Sequence, residues 1–230
     1  MNGVQALLTV IWHRMTDVFR PANDRGYDTK GGFMKITGDH MLENAILEPV
    51  SGGASMKIRR FLVIHFTAGA SGMSSINYWR SSRKASAHIV IDRDGTIYQC
   101  RPFNRTAGHA GRSKWTDPHT GEHYNGLNAC SIGIELANGG SSYPERFSAL
   151  APTHAEHKHG GGKRDWETYT AAQLQACEEV SKSLCERYNL DDVIGHEDCS
   201  PGRKTDPGPA FPMDKLRSVC GFSHPLGTRI

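Results

Sequence analysis

Residues Val193 to Phe211 read VIGHEDCSPGRKTDPGPAF, and an earlier stretch, Phe61 to Gly69, reads FLVIHFTAG. Both begin with apolar residues suited to end a buried strand. FLVI is a continuous apolar run, the pattern of a central strand covered on both faces. Each run leads to a histidine, His65 directly and His196 after Gly195. Beyond His196 the chain is dense in Pro, which fixes φ, and Gly, which opens positive φ. A loop this stiff is suited to hold its polar residues in one geometry, and here those are Lys204 and Asp206. Imidazole and carboxylate are two of the ligand types of a catalytic Zn²⁺, which usually keeps three protein ligands and one open position. His65, His196 and Asp206 make up such a set. A lone histidine after an apolar strand is also a common structural residue, and composition alone does not choose between the two.

Working outward, Ser131–Leu136 (SIGIEL) reads as a second core strand. Its alternation sends Ile132, Ile134 and Leu136 to one face and Gly133 and Glu135 to the other. His88–Ile91 and Thr96–Gln99 flank Asp92-Arg93-Asp94-Gly95, and Asp-Gly at a tip is a strong hairpin signal. Ala45–Val50 reads as a short edge strand followed by a turn over Ser51–Ser55. A helix is predicted over Ser74–Ser82, with Ile76, Tyr78 and Trp79 facing inward. A second is predicted over Thr170–Asn189, where Thr170 and Gln173 have capping-box spacing. Leu174, Cys177, Val180, Leu184 and Tyr188 then follow the helical period. Pro212–Val219 is expected to form a short closing helix. Elements mixed in this order give an α/β fold, a single domain with a central mixed β-sheet flanked by helices. Sites in such sheets lie at strand ends, where His65 and His196 fall.

With 230 residues the core is ample. The balance of 27 basic and 24 acidic residues implies no polybasic face and no nucleic-acid partner. The six cysteines lack CxxC spacing and read as mostly reduced and buried, with room for one disulfide. Residues 1–33 read as an N-terminal extension and linker, 34–222 as the catalytic domain and 223–230 as a tail. Val4–Trp12 is apolar but too short to span a bilayer. It also lacks the basic segment and cleavage site of a secretory signal. Synthesis in the cytoplasm is expected, with release to the cell wall left open, and the chain is expected to act as a monomer. Gly139–Thr168 reads as a long mobile loop beside a substrate groove. Its His154, His157 and His159 are irregularly spaced and are not taken as a metal site.

FLVIHFTAG, SAHIVIDRDGTIYQC, HAGRS, SIGIELANG and GHEDCSPGRKTDPGPAF, in that order, resemble the zinc-dependent N-acetylmuramoyl-L-alanine amidases. That family includes bacteriophage lysozyme-type amidases, muropeptide-recycling amidases and the animal peptidoglycan recognition proteins. The resemblance runs over residues 58 to 214. It implies Zn²⁺ on His65, His196 and Asp206, with peptidoglycan or muropeptides as substrate. It implies Glu135 as the general base that faces the zinc water, where the residue alone could equally be a salt-bridge partner. Lys204 matches the family's catalytic lysine. His109 matches a histidine lining the substrate cleft, and His88 is a second substrate-binding candidate whose other reading is a sheet-face hydrogen bonder. Phage lysozyme-type members carry a tyrosine just before the His88 position, where this chain has Ala87, which leaves more of the proton transfer to Glu135. Trp115 and Tyr124 are placed either stacked on substrate or buried under their loop. Two other readings use the same residues. One is a peptidoglycan-binding protein without catalysis, which would typically have lost a zinc ligand. The other is a zinc-stabilised interaction protein, with Cys199 available as a fourth ligand.

Overall fold

The structure, a computed structural model, describes residues 34–222; Val4–Trp12, the linker after it and the tail from 223 lie outside them. The chain is tied in from its first described residue. The Met34 N–H donates to Ser183 Oγ at 2.7 Å, and Met34 and Ile36 pack on the main core.

Six strands form the central sheet: β1 (Ile46–Leu47), β2 (Phe61–Phe66), β3 (Ile89–Ile91), β4 (Ile97–Gln99), β7 (Ser131–Leu136) and β10 (Asp192–Gly195). Two small hairpins lie outside it, β5 (Lys114–Thr116) with β6 (His123–Asn125), and β8 (Thr153–Glu156) with β9 (Lys163–Trp166). The helices are α1 (Gly72–Ser82), α2 (Ala171–Tyr188), the single turn α3 (His196–Cys199) and α4 (Met213–Val219). The sheet order is β1-β4-β3-β7-β2-β10. Only the β3–β4 hairpin is antiparallel, so the sheet is mixed, as expected.

Alternation along the central strands divides the interior. Leu62, Ile64, Ile132, Ile134 and Val193 share one cluster with Cys177, Val180 and Leu184 of α2. Phe61, Val63 and Ile194 belong to another cluster, with Ala110, Leu127 and Cys199. His65 and Glu135 follow the parity of this second face. The predicted capping box of α2 is present: Thr170 Oγ1 accepts from the Gln173 N–H, and the Gln173 side chain accepts from the Thr170 N–H.

Two expectations need correction. Tyr78 is 57% exposed. The inward stripe of α1 is Gly72, Ser75, Ile76 and Trp79, at the spacing of one helix face, and Tyr78 lies off it. Residues 139–168 are not simply a mobile loop, because Thr153–Glu156 and Lys163–Trp166 pair as an antiparallel ribbon. The turn between them uses three consecutive glycines at positive φ, Gly160, Gly161 and Gly162. The six cysteines are free thiols and four of them are buried, in keeping with the reading of them as mostly reduced and buried.

Candidate metal centre

Backbone pairing alone brings the central residues together. His65 and Glu135 are directly paired in the parallel β2–β7 ladder. Gly195 pairs with Ile64, so His196 leaves β10 level with His65. The Pro/Gly loop then folds back. The Glu197 N–H donates to the Asp206 carbonyl at 2.8 Å, returning the aspartate to the histidine it follows by ten residues.

His65 Nδ1 lies 2.9 Å from His196 Nδ1 and 2.9 Å from Asp206 Oδ2, and His196 Nδ1 lies 2.8 Å from the same oxygen. All three residues are buried. Among the described residues they are the one group of three His, Cys, Asp or Glu side chains placed to hold an ion.

The surrounding hydrogen bonds decide where the ring protons sit. The Ser131 hydroxyl donates to the Leu127 carbonyl at 2.6 Å, so its oxygen can only accept from His109 Nε2, 3.3 Å away. The Ser131 carbonyl, 3.4 Å from the same nitrogen, can also only accept. His109 therefore carries its proton on Nε2. Burial, the largest influence, and the nearby His65 hold its pKa well below the usual value, so the ring is neutral and Nδ1 is an acceptor. His65 Nε2–H donates to that nitrogen at 2.9 Å. Burial pulls the His65 pKa down to about 4 against the opposing influence of the Asp206 carboxylate, so His65 is neutral too, and its Nδ1 is bare. His196 Nε2–H donates to the Ala110 carbonyl at 3.1 Å, which turns its Nδ1 lone pair inward as well. Burial would raise the Asp206 carboxyl, but the adjoining His196 and His65 outweigh that and hold it below the usual range.

Two imidazole lone pairs and a carboxylate oxygen thus converge, the donor set of a divalent metal. Tetrahedral zinc with bonds of about 2.0–2.1 Å needs donors roughly 3.3 Å apart, an opening of about half an ångström from the present spacing. Outer partners that fix the ligand tautomers, as His109 and Ala110 do here, are a regular feature of metal sites. The fit is good. Cys199 adds no fourth ligand, since its thiol donates to the His196 carbonyl at 3.5 Å within the apolar cluster of Phe61 and Ile194.

Glu135 stands beside this set. Its Oε2 is buried and has no hydrogen-bond partner among the described residues. An orphaned buried oxygen is costly, and its usual explanation is a water, ion or ligand. Burial raises the Glu135 pKa well above the ordinary value; the Asp206 charge adds to this and the Lys204 ammonium opposes it. Lys204 is half-buried, and its charge reaches both Glu135 and His65.

The other sequence candidates are placed as follows. His88 is fully buried; its Nε2–H donates to the Arg105 carbonyl at 2.7 Å, and its Nδ1 accepts from the Gly133 N–H at 3.0 Å. With both nitrogens taken by backbone, the ring has none to offer a substrate. His109 is itself buried, and the residue before it, Gly108, lines a cleft of about 470 Å³. Arg83, Lys84 and Arg101 line that cleft with no acidic residue among its walls. Trp115 and Tyr124 form a cross-strand pair of the β5–β6 hairpin, and the Tyr124 ring meets Phe61 edge-on at 5.0 Å. His154 pairs with Asp165 on the surface, while His157 and His159 bond to Glu197, so these three form no metal cluster.

The model of the N-acetylmuramoyl-L-alanine amidase family matches residues 54–209, well over half of the chain. The chain belongs to that family. Among curated relatives, it is 35% identical over 145 residues to the 1,6-anhydro-N-acetylmuramyl-L-alanine amidase AmpD of Salmonella typhimurium LT2, which covers 61% of this chain and 59% of AmpD. It is 30% identical over 166 residues to the N-acetylmuramoyl-L-alanine amidase AmiD of Escherichia coli K12, covering 68% of this chain and 51% of AmiD. The chain thus spans between half and three-fifths of the length of these two relatives. A structure of E. coli AmiD with the substrate anhydro-N-acetylmuramic acid-L-Ala-D-γ-Glu-L-Lys superposes at a TM-score of 0.54 with 29% identity, over 74% of this chain and 60% of that one. An AmpD structure superposes at 0.53 with 26% identity, over 79% of this chain and 97% of that one.

Two contributors to the site, Gly133 and Arg203, escaped the sequence reading. A Cβ on Gly133 would fall 2.5 Å from His109 Cγ, so the glycine between two isoleucines is the seat of the His109 ring. The signal was its parity with Glu135 on the site face. Arg203 donates through Nη2 to the carbonyls of Ala110 at 2.9 Å and Arg112 at 2.7 Å, bracing the His109 loop. Nothing in the sequence set it apart from other exposed arginines.

Proposed function

We propose that this chain is a zinc-dependent amidase that hydrolyses the bond between N-acetylmuramic acid and the L-alanine of the stem peptide in peptidoglycan or its muropeptides. The observation that carries the reading is that the Ser131–His109–His65 proton chain and the His196–Ala110 bond leave the two histidine Nδ1 atoms bare against Asp206 beside the unpartnered Glu135 oxygen. His65, His196 and Asp206 would hold the metal. A bound Zn²⁺ supplies a Lewis acid and lowers the pKa of a water from about 15.7 to about 7. Glu135 takes a proton from the attacking water and returns it to the leaving alanine amine, work for which burial and a raised pKa suit a carboxylate. The Lys204 ammonium meets the oxyanion that develops on the lactyl carbonyl. The products are a free muramyl carboxylate and a stem peptide with a new N-terminal alanine. Arg83, Lys84 and Arg101 give the neighbouring cleft a positive wall suited to the carboxylates of the stem peptide.

A site used only for structure would be closed by a fourth ligand, and the three ligands here have none among the described residues. A binding protein that had lost catalysis would have little use for an orphaned carboxylate beside the ligand set. The test is purified zinc-loaded protein with a soluble anhydro-muropeptide and, in parallel, with intact sacculi. New N-terminal alanine is expected from at least one. No release from either overturns the assignment.

Lys204 acts on the transition state in this scheme, and only interactions stronger there than in the ground state raise the chemical rate. Lys204→Ala is expected to keep zinc and KM nearly unchanged while kcat falls about 10²- to 10³-fold, the usual loss for one oxyanion donor. Lys204→Arg should not restore the full rate, because a planar guanidinium does not replace a compact ammonium. Zinc content beside steady-state kinetics decides it. A Lys204→Ala enzyme with wild-type kcat would leave the lysine no role in the chemistry.

A further inference from the structure

The turn of the β8–β9 hairpin, outside the central sheet, places three consecutive side chains, His157, Lys158 and His159, against the short helix that follows β10. Their meeting point is Glu197, a carboxylate only 3% exposed. Its Oε2 accepts from His157 Nε2–H at 2.7 Å and from the Gly208 N–H at 3.2 Å, and its Oε1 pairs with Lys158 Nζ at 2.8 Å. His159 Nε2 lies 3.0 Å from the Glu197 carbonyl, and Lys158 also pairs with Asp198 at 2.6 Å. The proton on His157 is located by its other nitrogen: Nδ1 accepts from the His159 N–H at 3.2 Å, so Nε2 is the donor.

Glu197 stands between the two stretches that carry metal ligands. It follows His196 in sequence, its N–H holds the Asp206 carbonyl, and its carboxylate holds Gly208. The same ribbon contributes more. The His157 ring stacks on Trp166 at 5.8 Å, and the Trp166 ring lies against Gly208, where a Cβ would come within 3.0 Å of it. Tyr169, just past β9, donates to the Pro207 carbonyl at 2.8 Å. The ribbon therefore grips the loop on both sides of Asp206.

We infer that His157, acting through Glu197, is a positioning residue for the metal centre, and that the β8–β9 hairpin sets how tightly His196 and Asp206 hold their ion. The inference rests on the reading of these residues as zinc ligands. It assigns His157 no contact with substrate or metal. A side chain that merely stabilised the fold would lower the melting temperature and leave metal affinity and ligand geometry unchanged. A positioning residue moves the affinity itself, and loss of such an outer partner typically weakens metal binding about 10- to 100-fold.

The experiment measures zinc affinity by chelator competition, the visible spectrum of the cobalt(II)-substituted protein and the melting temperature of the metal-free protein. His157→Phe keeps the ring and its stacking on Trp166 but removes the N–H, so it separates hydrogen bonding from packing. We expect His157→Phe to weaken zinc about 10- to 100-fold and to shift the cobalt spectrum. His157→Gln, which retains an N–H donor, should recover most of the affinity. Because both residues work along one route, adding His157→Phe to Glu197→Ala should cost little beyond Glu197→Ala alone. His154→Ala, on the exposed face of the same ribbon, should change nothing. Zinc affinity and cobalt spectrum of His157→Phe equal to wild type would overturn the inference while leaving the zinc reading intact. Failure of the wild-type protein to bind zinc would overturn that reading and this inference with it.

Discussion

His65→Ala should leave a folded protein that has lost most of its bound zinc and nearly all of its amidase activity. His65 supplies one of three converging donors, and its Nε2–H also fixes the His109 ring through the 2.9 Å bond to Nδ1. Removing it takes away a ligand and the partner of a buried histidine together. The loss in zinc affinity should exceed the ~10–100-fold that follows removal of an outer partner alone. The fold should survive, because the apolar residues of β2, Phe61 to Ile64, remain fully buried and make the core. Elemental analysis after dialysis against a weak chelator is the measurement. Full zinc occupancy in His65→Ala would remove this histidine from the ligand set.

Glu135→Gln should behave in the opposite sense, with zinc retained and chemistry lost. Gln is close in shape and keeps one oxygen, but it cannot take up a proton at neutral pH. A decrease of about 10²- to 10⁴-fold in kcat is expected, the usual contribution of a general base. Zinc affinity should change little, since Glu135 is not one of the converging donors. The substitution also removes a carboxylate whose charged form is disfavoured by burial and by Asp206, so metal-free stability should hold or rise. Kinetics beside zinc titration distinguishes the cases. A Glu135→Gln enzyme that turns over normally would leave the proton transfer to another group.

These residues were legible in the sequence because their signals are local. FLVIH and VIGH are apolar runs closed by a histidine, and DPGP announces a rigid loop. SIGIEL alternates strictly, and that alternation alone put Glu135 on the face opposite the isoleucines. The capping box of α2 could be read from Thr170 and Gln173, because its two hydrogen bonds span only three residues. The β8–β9 ribbon gave no such sign. Of its eight strand residues only Trp166 is buried, so neither strand carries an apolar stripe. What holds it in place, the bond from His157 to Glu197, joins residues forty positions apart. The tautomer chain through His109 and Ser131 was hidden for the same reason. It depends on which atoms face each other after folding, and a count of histidines cannot supply that. Tyr78 failed differently: an aromatic residue in a short helix looks like core until the burying face is known.

The rung that pairs His65 with Glu135 also bears on how this chemistry tolerates drift. Neighbouring strands stand about 4.8 Å apart wherever a ladder forms. The separation between Glu135 and His65 is therefore inherited from peptide groups, whatever side chains pack beneath. The isoleucines and valines below can be exchanged for others of similar volume without retuning the reaction. A shift of β7 by one residue would not degrade the arrangement by degrees. It would carry Glu135 into the apolar layer against α2 and present an isoleucine in its place. The His65–Glu135 pair is set like a switch with two positions, and only one of them is compatible with a buried core.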